Sequence, residues 1–279
     1  MNLEKVRNIH FYKMTGAGND FIFIDNRNGV VDANHCADFV RSACRRKLSV
    51  GADGVVLIEE DPEADFKWRF FNSDASEAEM CGNAARCAVR FAHLTKIVDR
   101  TTMSFRTLAG IIRGEILGDT VKVQMTPPHS LELGMKLEAD GRTLNFDFID
   151  TGVPHAVHFV ADAADLESMD VARSGRPFRF HSRFQPAGSN IDFARITDAH
   201  RMTVRTYERG VEDETLACGT GVLASVLTAA ARSRVGSPVK VKTRGGEFLT
   251  VHFGPQGGGE SGEVFLEGEA RVVYEADLY

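Results

Sequence analysis

The chain has 279 residues, enough for one large domain or two ordinary ones. Hydrophobic residues make up 43% and charged residues 26%, as in an ordinary soluble globular protein, and the net charge of −6 gives no sign of nucleic-acid binding. The amino-terminal stretch MNLEKVRNIHFYKM lacks the apolar core of a signal peptide, and the most apolar window, 222–231, is too short to span a bilayer. These features predict a cytoplasmic protein with no membrane partner and no nucleic-acid partner.

The first part of the chain has the pattern of strands interrupted by two helices. Strand patterns occur at IHFYKM, FIFIDNR, GVVLIEE and FKWRFFN, and a glycine turn, TGAGND, separates the first two. Residues 35–47 and the stretch NAARCAVRFAHLTK have helical patterns. The segment MSFRTLAGIIRGEILGDTVKVQM indicates further strands, which Leu-Ala-Gly and Gly-Asp turns separate.

The second part begins after TPPHS, at 126–130, which is the best candidate for a linker. Strand patterns follow at HAVHFV, SNIDFARI, RMTVRTYERG, VKVKTRGGEFLTVHF and ARVVYEA, and helical patterns occur near 162–171 and at GVLASVLTAAARSR. GPQGGGESG, at 254–262, is predicted to be a flexible loop. Because strands outnumber helices and many of them form adjacent pairs, we predict an α+β fold.

Three segments of the first half recur in the second half, in the same order. GAGNDF (16–21) resembles GSNIDF (188–193), EAEMCGNAA (77–85) resembles ETLACGTGV (214–222), and TLAGIIRGEI (107–116) resembles TRGGEFLTVHF (243–253). The first match sets Asn19 against Asn190, and the second sets Cys81 against Cys218. Two long repeats indicate a duplicated domain rather than a solenoid. A duplicated fold would bring the two cysteines to opposite sides of one interdomain cleft, a frequent location for a small-ligand site.

Five cysteines have to be explained: Cys36, Cys44, Cys81, Cys87 and Cys218. Their odd number, their wide spacing and the missing export signal argue against a disulfide framework. Zinc is disfavoured because no Cys-x-x-Cys occurs, and because His155 and His158 would lie on opposite faces of a strand. We therefore predict no metal site.

Cys81 and Cys218 each precede a helical pattern and are each followed by glycine. A helix amino terminus lowers the pKa of a thiol, and its N–H groups bind carboxylates. One thiolate could then remove a proton from one face of a carbon while a thiol delivers a proton to the other face, which inverts a stereocentre. For either cysteine alone, packing in a buried helix is the alternative. The matched glycines and upstream glutamates favour the reactive pair, whereas Cys36, Cys44 and Cys87 lack such neighbours and are predicted to be structural.

The motifs GAGNDF, FNSDASEAEMCGNAARC, GSNIDF and YERGVEDETLACGTG together resemble the diaminopimelate epimerase family, over almost the whole chain. The resemblance implies an enzyme that interconverts LL- and meso-diaminopimelate without pyridoxal phosphate or another cofactor. It also implies two pseudo-symmetric domains, here 1–126 and 127–269, each a mostly antiparallel β-structure wrapped around a central helix. In some members the last strand returns to the first domain, which is the expectation for residues from about 270 to 279. Diaminopimelate is the expected small-molecule partner, and the oligomeric state is open, with a homodimer as one alternative.

The resemblance also implies the roles of individual residues. Cys81 and Cys218 would be the acid/base pair, with Cys81 as the base toward the LL isomer. The residues expected to hold the amino and carboxylate groups of the substrate are Asn19, Asn72, Asn190, Glu208 and Arg209. Backbone N–H contacts are expected from Gly82, Asn83, Gly219 and Thr220, and His155 is expected near the site. Arg209 has an argument of its own, because a planar guanidinium suits the distal carboxylate of the substrate, with a solvated turn as the alternative.

Three departures from the family pattern affect substrate recognition rather than the two cysteines. Val153 stands where many members have an asparagine that binds the substrate, Gly54 stands where some have a glutamine, and GNAAR replaces Gly-Asn-Gly-Ala-Arg. A proline or hydroxyproline racemase-like enzyme and a non-catalytic two-domain amino-acid-binding protein are the alternative functions. A thiol–disulfide protein would need a nearby resolving cysteine, and no Cys-x-x-Cys occurs.

Overall fold

The computed structural model describes residues 8–254 and 262–278. By their contacts these residues form two compact units, one of residues up to Gln124 together with those from Gly268 onward, and one of Met125–Glu267. The flexible loop predicted at 254–262 lies almost entirely outside the described residues. No helix within the described ranges is both long enough and apolar enough to cross a bilayer.

The amino-terminal unit consists of strands that neighbour one another in chain order. Its elements are β1 Ile9–Gly16, β2 Asn19–Asp25, α1 Cys36–Ala43, β3 Gly54–Glu59, β4 Phe66–Asn72, α2 Gly82–Leu94, β5 Thr102–Thr107, β6 Gly110–Leu117 and β7 Thr120–Gln124. The pairs β2–β3 and β4–β5 are parallel, and β1–β2, β3–β4, β5–β6 and β6–β7 are antiparallel. Each parallel pair is joined through a helix, as such crossovers require.

The second part of the chain repeats this plan. Its elements are β8 His129–Ala139, β9 Arg142–Asp150, β10 Pro154–Phe159, α3 Ala163–Ser168, α4 Val171–Arg179, β11 Asn190–Asp198, β12 Arg201–Glu208, β13 Asp213–Glu214, α5 Gly219–Ala231, β14 Val239–Lys242, β15 Phe248–Phe253, β16 Val264–Glu269 and β17 Arg271–Leu278. Here β10–β11 and β12–β14 are parallel, and β8–β9, β9–β10, β11–β12, β14–β15 and β15–β16 are antiparallel. The last strand, β17, pairs with β1 of the amino-terminal unit.

The two units therefore share one topology. The order β17-β1-β2-β3-β4-β5-β6-β7 corresponds step by step to β8-β9-β10-β11-β12-β14-β15-β16, with the same sense of pairing at each step. Helix α2 packs against β1, β2, β6 and β7, and α5 packs against β9, β10, β11, β12 and β15. This arrangement confirms the predicted α+β fold with an internal duplication around two central helices.

Strand register corrects the first of the three repeat matches. Phe21 lies opposite Gly54 in the β2–β3 pair, and His155 lies opposite Asn190 in the β10–β11 pair. The structural counterpart of Asn190 is therefore Gly54, and the counterpart of Asn19 is Val153. The match of GAGNDF with GSNIDF was wrong because both are short glycine turns that lead into strands, a pattern that occurs at more than one place in a duplicated β-fold.

Small residues allow the strands to approach the central helices closely. Four of the ten buried residues of α2 are alanine, and a Cβ at Gly114 of β6 would lie 2.3 Å from Val89 Cγ2. Cys87 is completely buried in the same helix, whereas Cys36 and Cys44 pack in an apolar cluster around α1. These three cysteines thus occupy ordinary core positions.

Two parts of the second unit differ from the sequence prediction. The helix expected near 162–171 is two helices, because Asp162 and Asp170 each begin one by accepting a hydrogen bond from a backbone N–H, of Ala164 and Arg173 respectively. The β8–β9 hairpin was not predicted. Its turn at 140–141 carries positive φ at both residues, and much of β8 is solvent-exposed, which weakens the hydrophobic alternation of a strand.

Candidate active site

Cys81 and Cys218 occupy equivalent positions, as the residues that precede α2 and α5. Both have extended backbones, with φ of −146° and −117°, and their carbonyls accept the first helical hydrogen bonds from Ala85 and Val222 at 2.8 and 2.9 Å. Neither position holds the Ser, Thr, Asp or Asn that usually satisfies first-turn N–H groups. The first N–H groups of both helices, from Gly82 and Gly219 onward, thus have no intrahelical acceptor and form an anion-binding geometry.

A chain of hydrogen bonds connects Cys218 to a buried ionisable pair. Its Sγ lies 3.3 Å from Thr220 Oγ1, which lies 3.0 Å from His155 Nε2. His155 Nδ1 is 2.7 Å from Asp192 Oδ2, and Thr206 Oγ1 donates to Asp192 Oδ1 at 2.6 Å. His155 and Asp192 have no solvent-exposed side-chain area. The structure thus places His155 two hydrogen bonds away from Cys218, with Thr220 between them.

Burial raises the pKa of the Cys218 thiol well above its ordinary value, and the negative charges of Glu208 and Asp192 raise it further. The Thr220 hydroxyl and the Gly221 N–H act in the opposite direction but do not outweigh them. The expectation that a helix start lowers the thiol pKa is therefore wrong at Cys218. Desolvation and two nearby carboxylates dominate, so the resting group is the thiol.

Side-chain amides hold the first turn of α2, which directly follows Cys81. Asn83 donates to Asn19 Oδ1 at 2.7 Å and accepts from Arg86 Nη2 at 2.9 Å. Asn19 in turn donates to Asp53 Oδ2 at 2.9 Å. Cys81 itself is partly exposed, unlike Cys218, which is 8% exposed. The side chains of Asn19 and Asn83 thus fix the first turn of α2 against the start of β2.

Three of the predicted binding residues of the second unit, Asn190, Glu208 and Arg209, lie together near the end of β12. Asn190 is 3% exposed, donates to Pro154 O at 3.0 Å and accepts from the Arg209 N–H at 2.7 Å. Glu208 is close enough for its charge to act on Cys218. The structure therefore gathers Asn190, Glu208 and Arg209 in one region, with the Asn190 side chain supporting the turn that carries Arg209.

Asn72 is the counterpart of Glu208, because each ends its strand directly after an equivalent paired residue, Phe71 opposite Val55 or Tyr207 opposite Ile191. It is exposed, and its Nδ2 donates to Ser76 Oγ at 3.0 Å. A Cβ at Gly54 would lie 2.4 Å from Phe71 O, so a longer side chain would require the backbone to shift. Val153, the counterpart of Asn19, is partly buried and supplies a carbonyl to the Thr151 N–H at 3.1 Å.

Sequence reasoning missed Asp192 and Thr206 as neighbours of the site. Asp192 carried one signal, since it is a lone acid within the apolar strand pattern SNIDFARI, where an unpaired charge would be costly. Over residues 8–254 and 262–278, no group of three or more His, Cys, Asp and Glu side chains has the arrangement of a metal site.

Comparisons with known proteins give one family over most of the chain. The sequence model of the Diaminopimelate epimerase family matches residues 11–131 and 148–273. A diaminopimelate epimerase of Aquifex aeolicus is 46% identical, and the alignment covers 97% of this chain and 98% of the relative. One from Chlorobaculum tepidum is 41% identical, with 95% and 99% covered.

Solved structures with the same fold are more distant in sequence. A phenazine biosynthesis protein of the PhzF family from Bacillus anthracis superposes with a TM-score of 0.76 at 15% identity, covering 98% of this chain and 99% of its own. A hydroxyproline epimerase from Agrobacterium vitis, solved with bound trans-4-hydroxy-L-proline, gives 0.73 at 16% identity, covering 98% and 92%. At such identities the likeness establishes the fold alone.

Proposed function

Because the chain belongs to the diaminopimelate epimerase family, we propose that it interconverts LL- and meso-diaminopimelate by proton transfer at the α-carbon. The observation that carries the proposal is the equivalent placement of Cys81 and Cys218 at the starts of two central helices. Full-length identity of 46% to a named epimerase supports the substrate, which the geometry by itself does not specify.

The proposed reaction uses the two thiols in opposite protonation states. Toward the LL isomer, the Cys81 thiolate removes the α-proton and the Cys218 thiol delivers its proton to the opposite face of the carbon. Cys81 then carries the proton and Cys218 the charge, so the same pair is set for the reverse reaction. The raised pKa of Cys218 supports its role as the donor in this direction. Such a pair titrates as a unit rather than as two separate groups.

The helix starts support stabilisation of the charge that develops on proton loss. The electron pair left at the α-carbon delocalises into the adjacent carboxylate, where negative charge increases. We propose that the N–H groups of Gly82, Asn83, Gly219 and Thr220 hold this carboxylate. The electron pair needs no further acceptor, so the proposed chemistry uses no cofactor.

The remaining binding roles are proposals from the family match. Asn19, Asn72 and Asn190 would contact the substrate or shape its surroundings, and the internal hydrogen bonds of Asn19 and Asn190 favour the shaping role. Glu208 and Arg209 lie next to each other with opposite charges, which suits an amino acid head group. His155 would act through Thr220 on Cys218.

A proline or hydroxyproline racemase is the alternative that shares this fold. Its support is a likeness of fold at 16% identity, compared with 46% for the epimerase of Aquifex aeolicus. A cytoplasmic location, the lack of a nucleic-acid partner and the choice between monomer and homodimer stay predictions from the sequence.

The proposal is tested by incubating the protein with LL-diaminopimelate in deuterated water. We expect formation of the meso isomer with deuterium at the inverted α-carbon, and no inversion of L-proline or trans-4-hydroxy-L-proline. Inversion of a proline substrate without reaction of diaminopimelate would replace the proposed function with the racemase alternative. Lack of exchange with all three substrates would overturn an epimerase function.

A further inference from the structure

In the amino-terminal unit, the loop that leads to Cys81 is attached to β4 by a carboxylate. Glu77 lies opposite Phe71 as an antiparallel partner, and the next residue, Ala78, donates its N–H to the same strand at 2.9 Å. Arg69 shares a face with Phe71, and its Nε and Nη2 donate to the two carboxylate oxygens of Glu77 at 3.0 and 3.1 Å. Glu77 and Arg69 are thus diagonal cross-strand neighbours in a bidentate pair.

The carboxy-terminal unit repeats this attachment before Cys218. Glu214 lies opposite Tyr207, and Thr215 donates its N–H to β12 at 3.2 Å. Arg205 precedes Tyr207 by two residues, and its Nε and Nη2 donate to the two oxygens of Glu214 at 2.6 and 2.7 Å. In both units three residues separate the glutamate from the cysteine.

We infer that Arg69–Glu77 and Arg205–Glu214 are positioning pairs, which hold the two cysteines in the geometry that proton transfer needs; this inference rests on the proposed function. Because only three residues separate each glutamate from its cysteine, we expect a shift of the glutamate to displace the cysteine as well. Displacement of a reacting group by about 1 Å can cost roughly a hundredfold in rate. This positioning role would explain why a glutamate stands four residues before each of the two cysteines in the sequence.

The two pairs differ in burial. Arg205 and Glu214 expose 6% and 16% of their side chains, and Arg205 also donates to the Leu166 carbonyl at 2.5 Å. Arg69 and Glu77 expose 24% and 31%, and the Arg69 guanidinium lies 4.8 Å from the centre of the Phe71 ring. Loss of the carboxylate charge is therefore expected to have the larger effect at Glu214.

The test compares Glu77→Gln and Glu214→Gln with two controls that break bidentate pairs elsewhere. Asp25→Asn breaks the surface pair with Arg27, and Asp147→Asn breaks the pair with Arg232, just beyond the other end of α5 from Cys218. The measured quantity is the ratio of deuterium exchange with retention to inversion, for each isomer in deuterated water. A second readout, without substrate, is the rate at which iodoacetamide alkylates Cys81 and Cys218, followed by peptide mass spectrometry.

A displaced proton donor leaves the carbanion to be reprotonated from the face of the base. With LL substrate, we therefore expect Glu214→Gln to raise the retention-to-inversion ratio about tenfold or more, and Glu77→Gln to do so with the meso isomer. Glu77→Gln should change the alkylation rate of Cys81 more than that of Cys218, and Glu214→Gln should do the reverse. The controls should change neither the retention-to-inversion ratio nor the alkylation rates. Arg69→Lys and Arg205→Lys, which keep the charge but lose the bidentate contact, repeat the test if a Gln variant does not fold.

An unchanged ratio and unchanged alkylation in folded Gln or Lys variants would show that the pairs only stabilise the fold, and would overturn the inference. A wild-type protein that neither exchanges nor inverts diaminopimelate would overturn the proposed function instead. The alkylation rates would still decide whether the pairs position the cysteines.

Discussion

The His155 imidazole and the Asp192 carboxylate form a fully buried pair, with Nδ1 2.7 Å from Oδ2. A carboxylate only accepts, so Nδ1 carries the proton. Nε2 lies 3.4 Å from the Asn190 amide, which can donate to it, and 3.0 Å from the Thr220 hydroxyl, which can donate or accept. Asp192 thereby sets the orientation of the ring that contacts Thr220, and its charge also raises the pKa of Cys218.

Asp192→Asn should increase the reactivity of Cys218. The substitution removes a negative charge that raises the pKa of the thiol, so more thiolate is present at about pH 8. Peptide mass spectrometry should show faster alkylation of Cys218 by iodoacetamide than in the wild type. Thr206→Val removes a hydrogen bond to the same carboxylate but keeps its charge, and serves as the control. Slower alkylation in Asp192→Asn would contradict the electrostatic account.

Thr220→Val should have the opposite effect on the same thiol. The Thr220 hydroxyl, 3.3 Å from Sγ, lowers the pKa of Cys218, and its loss removes a partner of the thiolate. Alkylation of Cys218 should be slower than in the wild type, and Thr220→Ser should restore the rate because it keeps the hydroxyl. Equal rates in the Val and Ser variants would show that the hydroxyl has no influence on the thiol.

Gly221→Ala should destabilise the fold although alanine favours helices. A Cβ at this first-turn position of α5 would lie 2.3 Å from Asp192 Oδ1 and 2.9 Å from Thr206 Oγ1. We expect the free energy of unfolding, measured in urea, to fall by about 1–3 kcal/mol. In an exposed helix, the same replacement of glycine by alanine typically raises the free energy of unfolding by about 1 kcal/mol. The control is Gly236→Ala, whose nearest atom, His200 Cε1, is 3.7 Å away. A variant as stable as the control would contradict the tight packing described for Gly221.

Asp20 should make stability dependent on pH in acid. Burial raises the pKa of its carboxyl, but hydrogen bonds and charges of Arg46 and Lys13 outweigh burial and lower the pKa from 3.8 to about 2. Because the folded-state pKa is lowered, the stabilisation is fully present above the unfolded-state pKa and is lost as the pH falls through the folded-state value.

Asp20→Asn should therefore lower the free energy of unfolding by about 2 kcal/mol near neutral pH, with the difference from wild type shrinking between about pH 4 and about pH 2. Denaturant unfolding of both proteins at several pH values measures this difference in the free energy of unfolding. Asp38→Asn, which breaks an exposed pair with Arg41, should have little effect at any of these pH values. A difference at Asp20 that does not change with pH would contradict the ion-pair origin of the stabilisation.

The parts of the site that local sequence specifies could be predicted. Helices α2 and α5 follow from a glycine directly after each cysteine and a helical pattern with many small apolar residues. The equivalence of Asn19 with Val153, and of Gly54 with Asn190, could not, because strand register depends on pairing between distant segments.

The direction of the pKa shift of Cys218 could not be predicted from the local sequence either. Its place at a helix start is visible in the sequence, and by itself predicts a lowered thiol pKa. Burial and the charges of Glu208 and Asp192 reverse the direction, and these depend on how β11 and β12 pack against α5. In the sequence, the motif that contains Asp192 indicates only a repeat, and the buried contact of Asp192 with His155 depends on the pairing of β10 with β11.

The most direct test of the two-thiol account is the inversion of LL-diaminopimelate in deuterated water by single cysteine variants. Cys81→Ala and Cys218→Ala should each lower the rate of inversion by about a hundredfold or more, because each lacks one of the two proton-transfer groups. Cys87→Ala, which changes a buried core cysteine of α2, should still invert the substrate with deuterium incorporation. Inversion at the wild-type rate by either Cys81→Ala or Cys218→Ala would contradict the account.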